Sequence, residues 1–184
     1  MNSVVLRRVS WRVISWVGVI GLGIGTIAAV AKVTSVNGFR MGWQGIPVFF
    51  VLAGILGRIA NCKVVLDEDA LTVVGPLRTH RIPKATIRDV VVDENGTLDV
   101  HVLGREKGVA VFAFGGSLVD HYIGSSGKAQ YRIKAWLGSD LKKTGAPTAD
   151  PQISWTRCPS ADASLILCLA LIVVGVIWMA VTGS

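Results

Sequence analysis

The sequence predicts an α+β membrane protein: a small antiparallel β-barrel with a C-terminal helix, combined with three transmembrane helices. Two observations support this fold class. Apolar residues make up 51% of the 184 residues and charged residues only 17%, whereas about 25% is charged in typical globular domains. The apolar excess lies in three uncharged blocks, and the chain between the second and third blocks consists largely of short β-branched runs.

Residues 13–31 and 41–57 form the first two blocks, and residues 1–61 are predicted to be an N-terminal transmembrane hairpin. A helix over the first block would be about 28 Å long, close to the roughly 30 Å of a hydrocarbon core. Asn37-Gly38 predicts a turn between the two helices. A signal peptide cleaved after Ala29-Val-Ala31 is the alternative, but its apolar run is usually only about 7–15 residues long.

Glycines are frequent in the first block. Gly21 and Gly25 have the small-xxx-small spacing that lets two membrane helices approach closely, so they are predicted to be a helix-packing surface. The alternative is that they reflect the general abundance of glycine in transmembrane helices. The spacing does not match a dinucleotide-binding loop, which needs G-x-G-x-x-G after a strand.

The chain after residue 62 has the period of β-strands. Asp93-Glu-Asn-Gly96 contains Asn-Gly, which is the strongest hairpin signal in the sequence. Short strands at such close spacing predict a small antiparallel sheet or barrel. The six predicted strands cover residues 64–66, 71–74, 78–82, 87–92, 98–103 and 109–114.

Residues 126–143 return to helical spacing and predict an amphipathic helix that covers an open edge or end of the barrel. The domain therefore extends over residues 62–143. Residues 144–160 are rich in Pro, Thr and Asp and predict a linker. The third uncharged block, 163–181, predicts a transmembrane helix within the C-terminal segment 161–184.

Two runs in the middle segment resemble the PH-like domains of small bacterial membrane proteins, many of them actinobacterial. They are Leu66-Asp-Glu-Asp-Ala-Leu-Thr-Val73 and Arg81-Ile-Pro-Lys-Ala-Thr-Ile-Arg-Asp-Val90, and the likeness covers about residues 62–143. The resemblance implies a PH-like barrel plugged by a C-terminal helix, a membrane setting and no catalytic residues. This chain has Lys84 where many relatives have Trp, and six predicted strands where a full barrel has seven.

The sequence predicts no catalytic residues, no metal site and no cofactor. No two of the three histidines stand at a metal-ligand spacing, and none adjoins a cysteine. The run Gly124-Ser-Ser-Gly-Lys128 departs from the phosphate-binding loop at two positions. The three uncharged blocks contain no acid or base, which argues against an ion pathway. We therefore expect a non-enzymatic interaction or scaffold module at the cell membrane.

A basic cluster suggests an alternative function, the sensing of anionic lipid head groups. Each nearby cation contributes about 1 kcal/mol to such contacts. A simpler explanation is a solvated strand face beside the acidic turn Asp67-Glu-Asp69. The cluster lies on and after one predicted strand and comprises Arg78, His80, Arg81, Lys84 and Arg88.

The net charge of +7 lies partly beside the apolar blocks, where basic residues orient a membrane protein. The expected partners are therefore the lipid bilayer and a membrane protein or a second copy of the chain, and not nucleic acid. Arg7, Arg8 and Arg12 precede the first block, against Lys32 and Arg40 after it. This balance predicts a multi-pass protein of the cell membrane with the PH-like domain in the cytoplasm.

Overall fold

The computed structural model describes residues 3–105, 107–115, 125–138 and 151–182. The chain forms two compact units. A sheet unit comprises Met1–Val9 and Asn61–Thr156, and a helical unit comprises Ser10–Ala60 and Arg157–Ser184. The helices are α1 (Val9–Asn37), α2 (Phe39–Gly42), α3 (Gly45–Ala60), α4 (Ser125–Gly138) and α5 (Pro159–Val181).

The helical unit contains three helices that are long and apolar enough to cross a membrane, as the sequence predicts. They cover Val9–Asn37, Phe39–Ala60 and Pro159–Val181. Each begins before its uncharged block, and the first two also continue beyond the end of theirs, because the helices include flanking polar residues. The first helix ends where Gly38 adopts a φ of 79°, a conformation that favours glycine.

Helices α3 and α5 pack closely within this unit. A Cβ atom at Gly175 of α5 would clash with the ring of Trp43, which lies just before α3, so only glycine fits there. The hydroxyl of Ser164 donates a hydrogen bond of 2.8 Å to the carbonyl oxygen of Phe50. Small residues and interhelical hydrogen bonds are the usual means by which membrane helices associate.

The extended helices also contain an ion pair that the uncharged blocks do not show. Arg58 of α3 is 8% exposed and pairs with Asp162 of α5. The second oxygen of Asp162 accepts a hydrogen bond of 3.2 Å from the backbone N–H of Cys158, at the start of α5. Charges near the end of a span are tolerated when they pair with each other, and here the pair links two helices.

The sheet unit has eight strands among the described residues. They form a five-stranded antiparallel sheet of order β1-β2-β3-β4-β8 and a three-stranded antiparallel sheet of order β5-β6-β7. The bounds are β1 Val4–Leu6, β2 Lys63–Leu66, β3 Ala70–Val74, β4 Arg78–Pro83, β5 Ile87–Val92, β6 Leu98–Val102, β7 Val109–Val111 and β8 Gln152–Trp155.

The prediction of helices combined with antiparallel sheet is confirmed, but the described strands form two open sheets and not a closed barrel. The chain leaves β4 through a 3₁₀ turn at Lys84–Thr86, and β5 then pairs with β6 and not with β4. The last predicted strand, 109–114, is shorter than expected, because Phe112–Phe114 form a second 3₁₀ turn.

Two strands were not expected from the sequence. β1 lies in the polar start of the predicted hairpin, and β8 lies in the predicted linker 144–160. Each has only three or four residues and pairs with a strand about sixty or more residues away, β1 with β2 and β8 with β4. Pairing between such distant and short segments leaves no periodic pattern in the local sequence. The sequence therefore does not predict these residues to be strands.

The core of the sheet unit consists of side chains from both sheets and from α4. Leu71, Ile82, Leu98 and Ile133 are fully buried. The presence of α4 confirms the predicted amphipathic helix over residues 125–138, while residues 139–143 lie outside the described residues. The Asn-Gly turn predicted between β5 and β6 is also present, with Gly96 at a φ of 75°.

Candidate functional site

The structure does not bring the five predicted basic residues into one site. Successive side chains of a strand point to opposite faces, so Arg78 and His80 share one face of β4 and Arg81 lies on the other. Arg81 is exposed on that second face.

The remaining two members lie beyond the strand. Lys84 belongs to the 3₁₀ turn, with its Nζ 4.5 Å from the ring centroid of Trp136. Arg88 lies on β5 and lines a cavity of about 350 Å³ together with Asp89 and His101. Arg78 and His80 thus stay together on β4, and Arg81 lies on the opposite face. Lys84 and Arg88 lie beyond this strand.

A different basic site lies where the two open sheets face each other. We call it the seam pocket, and its volume is about 520 Å³. One wall is β4 and the other is the connection between β6 and β7 with the start of β7. The pocket is lined by His80, Arg105, Lys107, Gly108, Val109 and Ala110.

Basic side chains are frequent in the described lining of the seam pocket. Three of its described lining residues carry basic side chains, and none of the described ones carries an acidic side chain. Burial lowers the pKa of His80 below 6.5, and the charges of Arg105 and Arg78 lower it further. Glu106, between the two basic residues in sequence, lies outside the described residues.

The imidazole of His80 has one enclosed nitrogen. Its Nδ1 is buried and has no hydrogen-bond partner among the described residues. A proton on Nδ1 would be a buried donor without an acceptor, which is costly. The neutral ring therefore carries its proton on Nε2, which makes Nε2 the hydrogen-bond donor of the side chain.

An apolar edge accompanies the basic residues. In the pairing of β4 with β8, Arg78 lies opposite Trp155 and His80 lies opposite Ile153. Directly opposite residues lie on the same face of a sheet. Trp155 is 62% exposed and Ile153 is 48% exposed, so the face that carries the two basic residues continues into an exposed aromatic and aliphatic surface.

Sequence reasoning missed Arg105 and Lys107. Both are exposed and lie between Gly104 and Gly108 in the connection from β6 to β7. The local pattern indicates only a turn. The available signal was the presence of two basic residues in so short a turn, but their proximity to His80 depends on how the two sheets face each other.

The predicted helix-packing glycines lie on an open surface of α1. A Cβ atom added at Gly21 or at Gly25 would meet no atom of the described chain within 4 Å. The small-xxx-small surface therefore has no packing partner among the described residues, and its role in helix packing stays a prediction.

No group of three or more His, Cys, Asp or Glu side chains within the described part of the chain is arranged to hold a metal ion. The three cysteines, Cys62, Cys158 and Cys168, are buried and form no disulfide. The described lining of the seam pocket therefore offers basic side chains and not a set of metal ligands.

Comparison with known protein families gives a match within the sheet unit. Residues 61–117 match the family model of the bacterial PH domain. The match includes strands β2 to β7. It agrees with the resemblance carried by Leu66–Val73 and Arg81–Val90. No curated protein and no solved structure matches the chain.

Proposed function

We propose that this protein is a membrane-anchored, non-enzymatic interaction module whose PH-like domain recruits or holds a membrane-protein partner. One observation carries the proposal: a segment that matches the bacterial PH domain is part of a chain with three helices suited to crossing a membrane. PH domains generally serve binding and not catalysis, and a membrane anchor restricts such binding to proteins at the bilayer.

We further propose that the PH-like domain lies in the cytoplasm. The support is the excess of basic residues before the first uncharged block, 13–31, over those between the first and second blocks. Three cysteines without a disulfide also suit a reducing compartment. An alkaline phosphatase fusion at residue 145 should be inactive, and a fusion after Ser184 should be active. The reverse pattern would place the domain outside and overturn this part of the proposal.

The interaction role can be tested by affinity capture of the full chain from its native membranes in a mild detergent. The matched control replaces residues 61–156 with a Gly/Ser linker and keeps all three membrane helices. A partner of the PH-like domain should be captured by the full chain and lost with the control. Partners captured equally by both would bind the helices and would contradict the proposal.

A sensor of anionic lipids that uses the cluster from Arg78 to Arg88 is a second candidate. The division of the cluster weakens this candidate, since Arg81 lies on the other face of β4 from His80 and Lys84 lies against Trp136. We therefore favour the interaction module.

A further inference from the structure

We propose that strand β8 is a self-association site, at which β8 of a second copy of this chain pairs in an antiparallel arrangement. The two five-stranded sheets would then join into one continuous sheet across a two-fold axis. The inference rests on the proposed interaction role and deepens it, because it names a second copy of the chain as the partner of the PH-like domain.

Strand β8 is exposed along its whole length. All four residues, Gln152–Trp155, are exposed, although the strand pairs with β4 on one side. Among the described strands, β8 is the last one of its sheet. Edge strands normally carry a charge, a proline or a bulge that prevents pairing with another chain, and β8 contains none of these. β8 therefore has the properties of a strand that accepts a further strand.

The hydrogen bonds of β8 determine which of its backbone groups point away from β4. The backbone N–H of Thr156 donates a hydrogen bond of 3.0 Å to the carbonyl oxygen of Leu77. Residues alternate in this respect along an antiparallel strand, so the backbone of Ser154 also points toward β4 and that of Ile153 points away. Two copies of Ser154 can therefore lie directly opposite each other as a non-hydrogen-bonded pair.

A two-fold axis centred on Ser154 makes β8 complementary to itself. Ile153 of each copy then lies opposite Trp155 of the other copy, on the same face of the joined sheet. Both side chains are apolar and exposed, so each pair would remove apolar surface from water. Aromatic and β-branched residues are also favourable cross-strand neighbours. No other register pairs both apolar residues within Gln152–Trp155.

Charge and size favour a second copy that is held in the same membrane. β8 has no charged residue, so two copies would not place like charges directly opposite each other. Four residues from each copy are far fewer than the roughly 20–30 of a standard protein interface. However, β8 ends four residues before Pro159, where α5 begins, and α5 is suited to crossing a membrane. Two anchored copies would share one bilayer, and this confinement raises their effective concentration.

The test is disulfide crosslinking of the full chain in its native membranes. Ser154→Cys places a thiol on the proposed axis, where the Cα atoms of the two copies would be about 4.5 Å apart, within the range of a disulfide. Gln152→Cys is the matched control, because it lies on the same face of β8 but its two copies would be about 14 Å apart. The wild type is a second control, since its three cysteines are buried.

After mild oxidation, we expect at least about tenfold more crosslinked dimer from Ser154→Cys than from Gln152→Cys, because only the first pair lies within disulfide range. Adding Ile153→Pro should remove most of this dimer. Proline there removes an N–H that points away from β4, so the pairing of β4 with β8 is kept and the melting temperature should not change. Adding Trp155→Ser instead should also reduce the dimer, without changing the backbone.

Equal crosslinking of Ser154→Cys and Gln152→Cys would indicate random collision, and absence of crosslinking would show that β8 does not pair with itself. Either result would overturn the proposal. A fluorophore on Trp155→Cys that is quenched by nitroxide-labelled lipid, without a dimer from Ser154→Cys, would show that the bilayer covers β8 instead. If crosslinking fails while affinity capture still yields a partner that the linker control loses, only the self-pairing is wrong and the interaction role stands.

Discussion

Trp136 joins helix α4 to the two sheets, and its replacement by alanine should destabilise the sheet unit. Its Nε1–H donates a hydrogen bond of 3.1 Å to the carbonyl oxygen of Asp67. Its ring lies 4.5 Å from the Nζ of Lys84, and it packs against the buried core while remaining partly exposed.

The magnitude follows from these three contacts. The hydrogen bond contributes about 1 kcal/mol, the cation–π contact about 0.5–1 kcal/mol and the partial burial of the ring about 1 kcal/mol. The Trp136→Ala variant should therefore lose about 2–3 kcal/mol, somewhat less than the roughly 3–5 kcal/mol for a fully buried tryptophan. In a chain of this size such a loss lowers the Tm by about 5–10 °C.

The assay is thermal unfolding of the full chain in detergent, followed by circular dichroism. Tyr131→Ala is the matched control, because Tyr131 lies on the same helix and is 76% exposed; its Tm should stay close to that of the wild type. Trp136→Phe should fall between the two, since it keeps an aromatic ring and loses the hydrogen bond. Equal Tm values for Trp136→Ala and Tyr131→Ala would refute the inferred contact between α4 and the sheets.

Two further predictions concern charged groups. Arg58→Met should lower the free energy of unfolding by up to about 3 kcal/mol, because Asp162 loses its ion-pair partner. The double variant with Asp162→Asn should lose less than the sum of the two single variants, whereas additive losses would show that the pair does not couple the helices. Because the pKa of His80 is lowered in the folded chain, the unfolded chain binds a proton on this residue at a higher pH than the folded chain does. The contribution of His80 to the free energy of unfolding is therefore complete above pH 6.5 and falls as the pH drops toward the folded pKa. His80→Gln should reduce this acid loss of stability in unfolding measurements between pH 8 and pH 5, and an identical pH profile would contradict the role of His80. Among the described residues, Arg78, Arg105 and Lys107 are the charged groups beside His80.

Local patterns in the sequence were sufficient for much of the fold. The three uncharged blocks predicted the membrane helices, and Asn95-Gly96 predicted the hairpin of β5 and β6 because a tight turn needs a residue that accepts a positive φ. The spacing of Ala129 and Ile133 predicted α4, and both side chains are buried in the core. These features depend on residues that are neighbours in the chain.

The candidate site was less predictable, because it depends on contacts between distant residues. Arg78 and Arg81 are only three residues apart in sequence but lie on opposite faces of β4, so they do not belong to one basic surface. Arg105 lies 25 residues after His80 in the chain and approaches it only because the sheets face each other. Composition counts charges along the chain, whereas binding depends on which face each charge occupies.

The folded sheet unit extends beyond the family match at both ends. β1 and β8 are the two edge strands of the five-stranded sheet, and both lie outside residues 61–117. Without them, β2 and β4 would become the edges, with unpaired backbone groups that invite association with other chains. Each of these strands lies in the segment just before a membrane helix, since α1 begins at Val9 and α5 begins at Pro159. A soluble fragment limited to residues 62–143 would therefore lack both edge strands, and Arg78 and His80 would lose their neighbours Trp155 and Ile153. For this reason the sheet and the seam pocket should be studied in the full chain.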